Sequence, residues 1–173
     1  LTSGKLLRSI LYFGLKAKML EIERKFLVSN LQACLEMATA SFAIFQGYLS
    51  VDPERTVRLR IQNTHAFLTI KGASSADGTT RVEWEKSISL DEANTLSPLC
   101  LPGGIQKTRY HVPFNKFLFE VDVFEAALSG LALAEIELQS ADQKIELPDW
   151  IGKEVTGDKR YYNSQLTQYG MPN

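Results

Sequence analysis

A chain of 173 residues that is 45% hydrophobic and 23% charged carries enough apolar material for one domain with its own core, which excludes a disordered or fibrous polypeptide. A formal net charge of -1 excludes the basic surplus of a long nucleic-acid-binding face, while a local cluster of bases can still hold a compact polyanion.

The N-terminal stretch over 1–18 carries Lys5, Arg8, Lys16 and Lys18 and no acid. Apolar residues crowd around Leu6, Leu7, Ile10, Leu11, Phe13 and Leu15, the pattern of a basic amphipathic helix. It is too short and interrupted to span a membrane, and it reads as a leader or a non-native extension before a domain over 19–173, with Met19 in the place of an initiator. Alternation then predicts a strand over 21–28, and Ser29 or Asn30 caps a helix whose apolar face is Leu31, Cys34, Leu35 and Ala38. A strand over 42–51 ends at the turn Asp52-Pro53-Glu54. Strands over 56–63, 66–71 and 81–90 follow, with Thr64-His65 as a tight hairpin turn and 72–78 as a mobile loop. Ser89 and Glu92 have capping-box spacing, so a helix runs over 90–96 and stops near Pro98. After a turn over 101–104 come strands over 106–113, 117–125 and 131–139. Ser140 caps a short helix over 142–146, 148–152 is a turn, and 158–168 is a terminal helix. About eight strands joined mostly by hairpins predict an α+β domain: a closed eight-stranded antiparallel β-barrel with helices packed outside.

Successive strand residues point to opposite faces. Here one face is charged in strand after strand: Glu21, Glu23, Lys25; Arg58, Arg60; Thr69, Lys71; Arg81, Glu83, Glu85; Lys107, Arg109; Glu120, Asp122; Glu135, Glu137. The opposite positions, such as Val57, Leu59 and Ile61 or Val121 and Val123, are mostly large and branched and need cover. If they pack outward against helices, the charges line the interior, where eight strands leave room for side chains and one small ligand. Interior charge is costly unless paired or metal-bound. Eight acids (Glu21, Glu23, Glu83, Glu85, Glu120, Asp122, Glu135, Glu137) nearly balance seven bases (Lys25, Arg58, Arg60, Lys71, Arg81, Lys107, Arg109). Such a lining suits a phosphate chain, with Arg and Lys on its oxygens and carboxylates on a bridging cation. Two cysteines, Cys34 and Cys100, have no metal-ligand spacing and read as reduced thiols of a cytoplasmic protein; His65 and His111 lie on separate segments. Any metal is therefore held by carboxylates, which favours Mg2+ or Mn2+. Trp84 and Trp150 read as outer core, and Tyr161-Tyr162, Phe114, Phe117 and Phe119 as packing.

The segment Glu21-Ile22-Glu23-Arg24-Lys25 is an ExExK motif, and it is followed in order by Gln46-Gly47-Tyr48-Leu49, Arg58-Leu59-Arg60, Thr69-Ile70-Lys71, Glu83-Trp84-Glu85, Lys107-Thr108-Arg109-Tyr110, Glu120-Val121-Asp122-Val123-Phe124, Glu135-Ile136-Glu137 and a stretch from Glu154 to Tyr161. This ordered set resembles the CYTH superfamily, the triphosphate tunnel metalloenzymes, over roughly 19–166, and most of all its small bacterial members that hydrolyse inorganic tripolyphosphate. The resemblance implies an eight-stranded tunnel, a divalent metal and a triphosphate substrate. It implies that Glu21, Glu23, Glu135 and Glu137 hold the metal, with Glu83, Glu85, Glu120 and Asp122 supporting a second ion or orienting the bases. Lys25, Arg58, Arg60, Lys71, Arg81, Lys107 and Arg109 become the phosphate cradle, and Lys159 or Arg160 closes over the ligand at the mouth. Lys25, Lys107 and Tyr48 are assigned to the chemical step.

The family also resembles thiamine triphosphatases, nucleoside triphosphatases and class IV adenylate cyclases, but no compact base-recognition motif is visible, which leans toward an inorganic substrate. A polyphosphate- or nucleotide-binding module is the non-enzymatic alternative, and the interior acids argue against it. An RNA 5′-triphosphatase uses the same tunnel logic, yet the near-zero net charge leaves little room for an RNA track. The expected partner is a small triphosphate, with no nucleic acid, no membrane, and a monomer or homodimer as the assembly.

Overall fold

The computed structural model describes residues 20–172. The amphipathic stretch predicted over 1–18 lies outside them. The described residues form nine strands: β1 (Leu20–Val28), β2 (Ala40–Ser50), β3 (Arg55–Gln62), β4 (His65–Ser74), β5 (Thr80–Ile88), β6 (Ile105–Phe114), β7 (Phe117–Phe124), β8 (Ala132–Glu137) and β9 (Ile151–Glu154). Eight of them form a closed antiparallel barrel in the order β5-β4-β3-β2-β6-β7-β8-β1, and β1 pairs back to β5. The register explains how β1 closes the circle. Its start pairs with β5, Glu21 opposite Arg81, and its remainder pairs with β8, Glu23 opposite Glu137 and Lys25 opposite Glu135. The short β9, whose first two residues were expected in a turn over 148–152, pairs with the end of β1, Phe26 opposite Glu154. Among the described residues no helix is long and apolar enough to cross a membrane.

Among the described residues three short α-helices decorate the barrel: α1 (Leu31–Glu36), α2 (Leu90–Leu96) and α3 (Asn163–Tyr169). Asn30 caps α1 by accepting from the Ala33 amide at 3.1 Å. The Ser89/Glu92 capping box forms on α2 as the spacing predicts. One apolar cluster packs Phe26, Val112, Phe119, Val121 and Ile136 with Cys34 of α1 and with Trp150. A second packs Leu59 and Ala66 beneath Ala93 of α2. The third is different. Its Ile105, Phe124 and Leu133, with Leu27 against them, lie on the same strand face as Lys107, Asp122, Glu135 and Lys25. Two residues along each of these strands, the inward face thus changes from charged to apolar, and Leu128, Leu131, Val155 and Leu166 complete a plug at that level.

Several local expectations are corrected. The β3–β4 turn is Asn63-Thr64, one residue earlier than expected, because Asn63 takes φ 51°, which asparagine tolerates. His65 then opens β4 opposite Gln62. The expected loop over 72–78 is strand to Ser74, followed by a turn in which Asp77 accepts from the Ser75 hydroxyl (2.5 Å) and the Thr79 amide (3.1 Å). No helix forms over 142–146: Pro148 disfavours helical geometry just before it, and too few residues remain to nucleate a turn. The terminal helix is split into a 3₁₀ turn (Lys159–Tyr161) and α3, with Tyr162 extended between them. Trp84, expected in the outer core, is 42% exposed on the outer face.

Phe119 is fully buried and meets Trp150 edge-on, ring centroids 5.4 Å apart. Phe119→Ala is expected to cost about 3–5 kcal/mol, read as a lower urea midpoint at unchanged m-value; a loss near zero would mean this cluster does not support the barrel wall.

Candidate active site

The inward strand faces enclose a cavity of about 560 Å³. Glu21, Glu23 and Lys25 of β1, Tyr48 of β2, and Arg58 and Arg60 of β3 reach its wall. So do Lys71 of β4, Arg81 and Glu83 of β5, Arg109 of β6, Glu120 of β7, and Glu135 and Glu137 of β8. Alternation alone puts them there, since each lies two residues from the next on its strand.

The wall is an ion-pair lattice. Lys71 Nζ lies 2.9 Å from Glu21 and 2.6 Å from Glu83. Arg81 donates from Nε to Glu21 (2.7 Å) and from a terminal nitrogen to Glu23 (3.2 Å). Lys25 Nζ sits 2.9 Å from Glu135 and 4.0 Å from Glu23. Arg58 and Arg60 share Glu85, at 3.4 and 3.0 Å, and the Thr69 hydroxyl donates to the same carboxylate at 2.7 Å. Arg109 forks onto Asp122 with two bonds of 2.7 Å, reaches Glu135 at 2.9 Å, and also holds Glu120.

Five of the expected site residues do not reach this wall. Lys107 and Asp122, 2% and 1% exposed, bond each other behind Arg109. Glu85 stands beside the two arginines rather than in the cavity wall. Lys159 and Arg160 are exposed and outside it; Arg160 holds Asp158 at 2.6 Å. The chain after them supplies the wall instead, through Tyr162, Asn163 and Ser164. Lys116, Phe117 and Leu118 of the β6–β7 hairpin line it too, with Gln139 and Gln143. Of these, Tyr162 and Phe117 were expected to be packing and the others carried no expected role, although Tyr162, Asn163 and Ser164 directly follow the stretch from Glu154 to Tyr161. His111 Nε2 lies 3.5 Å from Glu120, and its ring meets Phe42 at a tilt of 59° with centroids 4.8 Å apart.

The electrostatics follow from burial and neighbours. Burial pushes the Glu21, Glu135 and Asp122 carboxyls up, but adjacent bases outweigh it and hold all three low: Lys71 and Arg81 on Glu21, Lys25 and Arg109 on Glu135, Arg109 and Lys107 on Asp122. Glu23 is the opposite case. Burial and then the neighbouring Glu135 raise it, and Lys25 does not compensate. Glu83 is raised as well, chiefly by burial. Burial outweighs Asp122 at Lys107 and brings its ammonium down to about 8, whereas Glu135 and Glu23 overcome burial at Lys25 and raise it. Tyr48 is raised by burial.

The acids fit a hard divalent cation. Glu23 lies directly opposite Glu137, and Glu120 opposite Glu135, so like charges face each other across two ladder positions. Arg109 bridges the second pair. Among the described residues Glu137 has no ion pair, and Glu23 is strained by Glu135 and Glu21. A cation at Glu23, Glu135 and Glu137 would relieve that excess, and oxygen-only ligands suit Mg2+ or Mn2+. Among the described residues no three acids or imidazoles already stand grouped at metal-binding distances, because bases now hold most of these carboxylates.

Comparison with known proteins matches the description CYTH domain to residues 19–167. An inorganic triphosphatase of Acetivibrio thermocellus is 42% identical over 149 residues, covering 86% of this chain and 93% of the relative. One from Nitrosomonas europaea is 40% identical over 153 residues, covering 86% and 97%. A solved inorganic triphosphatase superposes with a TM-score of 0.59 at 37% identity, covering 85% of this chain and 93% of the other.

The raised Glu23 carboxyl gives a signed prediction. Its ionisation opposes folding, so the stability it contributes is whole below the ordinary glutamate value of about 4.3 and is lost as pH rises through its higher native value. Glu23→Gln is therefore expected to raise the urea midpoint at pH 8, with the gain shrinking toward pH 4. Equal midpoints for the two proteins at pH 8 would show that Glu23 carries no such penalty.

Proposed function

The chain belongs to the CYTH family, and we propose that it hydrolyses inorganic tripolyphosphate to pyrophosphate and phosphate with a divalent metal. The observation that carries this reading is the cavity itself: six bases and six acids on inward strand faces around about 560 Å³. That volume suits one short polyanion, and the relatives that are inorganic triphosphatases cover nearly their whole length with this chain.

In this reading Lys25, Arg58, Arg60, Lys71, Arg81 and Arg109 bind phosphate oxygens. Arginine forks fix the direction of each oxygen, and lysines add point charge. Phosphoryl transfer needs mostly positioning and charge neutralisation, which such a lattice supplies before the substrate arrives. Lys25, kept charged by Glu135 and Glu23, offsets negative charge on the transferring group. Tyr48 stays a neutral phenol at the wall, able to donate one hydrogen bond. Glu23, Glu135 and Glu137, with Glu21 nearby, would hold Mg2+ or Mn2+; the ion supplies Lewis-acid polarisation of the phosphates and charge neutralisation. Glu83 and Glu120 orient Lys71 and Arg109. Glu85 orients the β3 arginines, and Lys107 with Asp122 braces Arg109. A cytoplasmic address for a monomer or homodimer belongs to the same proposal and agrees with two free thiols at Cys34 and Cys100.

Phosphate release should be measured from tripolyphosphate, pyrophosphate, ATP and thiamine triphosphate with Mg2+, Mn2+ or EDTA. Tripolyphosphate is expected to be the best substrate and chelation to abolish turnover. Lys25→Ala and Arg58→Ala are expected to lower kcat/KM by about a hundredfold or more. Activity that survives full chelation, or a Lys25→Ala enzyme as fast as wild type, would sink the mechanism; cyclic AMP from ATP would move the reading to a cyclase.

A further inference from the structure

The chain beyond β9 is tied back to the catalytic wall by its backbone. The Val155 amide donates to the Lys25 carbonyl at 2.8 Å, and the Lys25 amide donates to the Thr156 hydroxyl at 2.9 Å. Gly157, at φ 75°, then packs against the β4–β5 turn without any side chain between. A Cβ on Gly78 would fall 2.3 Å from Gly157 Cα and 3.0 Å from the Tyr162 hydroxyl, and a Cβ on Gly157 would fall 2.7 Å from the Asp77 carbonyl. Backbone atoms cannot yield there, so the two segments hold one relative position. This contact seats Tyr162 and Asn163 in the cavity wall beside Lys25, whose ammonium lies 5.7 Å from the Tyr162 ring centre. The Asn163 Oδ1 is buried and has no hydrogen-bond partner. The nearby charged groups of the wall are engaged with one another, as Lys25 is with Glu135 and Arg81 with Glu21 and Glu23. Asn163 is neutral and keeps hydrogen-bonding capacity to spare.

We propose that Asn163 is a further substrate-binding residue, its carboxamide hydrogen-bonding the phosphate chain; the assignment rests on the reading of this cavity as the triphosphate site. A buried amide oxygen without a partner is costly, and the cost disappears once a donor meets it. The carboxamide carries both functions at one place. Oδ1 accepts from a water in the phosphate hydration shell, and a half-turn presents Nδ2 to a phosphate oxygen with no change of shape. Unlike the lysines and arginines, Asn163 need not release a carboxylate before it binds. It also differs from the expected Lys159 or Arg160 closure in being uncharged, so it adds direction to the site and no further positive charge.

Aspartate has the same shape but only acceptor oxygens and a charge facing the polyanion, so Asn163→Asp separates chemistry from packing. Wild type, Asn163→Asp, Asn163→Ala and Asn163→Ser should be compared in three measurements. These are steady-state hydrolysis of tripolyphosphate, calorimetric binding of tripolyphosphate without metal, and thermal midpoint. Asn163→Ala is expected to raise KM and Kd about tenfold, the scale of one hydrogen bond to a charged group. Asn163→Asp is expected to lower kcat/KM by about a hundredfold, with Asn163→Ser between wild type and Asn163→Ala, and melting temperatures near wild type throughout. Wild-type KM and Kd in both Asn163→Ala and Asn163→Asp would overturn the assignment, as would a loss of activity that follows a lowered melting temperature with KM unchanged. A wild-type protein that binds and cleaves no tripolyphosphate would overturn the proposed function and this assignment together, a result distinct from active wild type with indifferent variants.

Discussion

Charge enclosed by a barrel must be compensated within the barrel, and most of this molecule follows from that constraint. Water cannot reach all of these groups, so each base needs an acid at hydrogen-bond distance. The wall meets the requirement with shared partners rather than isolated pairs. Glu21 serves Lys71 and Arg81; Glu135 serves Lys25 and Arg109; Asp122 serves Arg109 and Lys107. Lys71, Arg81 and Lys25 each keep a second carboxylate if one is removed, whereas loss of Asp122 leaves the buried Lys107 without its acid, so a substitution at Asp122 combines loss of function with loss of stability. Sharing also fixes directions, because a guanidinium held by several oxygens cannot turn.

The same compensation governs what the cavity accepts. An anion alone must compete with carboxylates already in place, and every carboxylate it displaces adds negative charge to the wall. The Glu23–Glu137 pairing is already unfavourable, and displacement would worsen it. A cation entering with the anion relieves both. On this argument the interior acids act as a coupling device: they keep the bases oriented beforehand and make polyanion binding tighter when a divalent ion enters with it.

The inward face of each strand was legible because its period is two and its side chains are charged. From Glu21-x-Glu23-x-Lys25 to Glu135-x-Glu137, alternation alone separates the interior from the apolar exterior. What alternation cannot report is depth along the barrel. Lys107 and Arg109 share a face, yet only Arg109 meets the cavity, because register sets Lys107 opposite Phe124 at the edge of the apolar plug. Irregular chain was equally hidden. Tyr162 and Asn163 enter the wall through a break between a 3₁₀ turn and α3, and the glycine contact that fixes the break joins residues far apart in sequence. Aromatic and amide side chains have no charge pattern, so Phe117 read as packing and Gln143 as part of a short helix.

The position of Lys107 follows from the layer beneath it. Ile105, Phe124, Leu133 and Leu27 floor the charged layer and keep water from reaching it from behind. At that boundary a lone carboxylate under Arg109 would have half its coordination empty. Lys107 fills the remaining side of Asp122 while the Arg109 fork takes the other, so the three groups form a closed unit. Burial brings the Lys107 ammonium down to about 8, which marks it as the weaker claimant on Asp122. Arg109 keeps its charge, and its terminal nitrogens extend past Asp122 to Glu120 and Glu135 at the cavity. A base that never touches the cavity thus sets the orientation of one that does, and this accounts for a Lys-x-Arg pair on β6 of which the wall shows only the arginine.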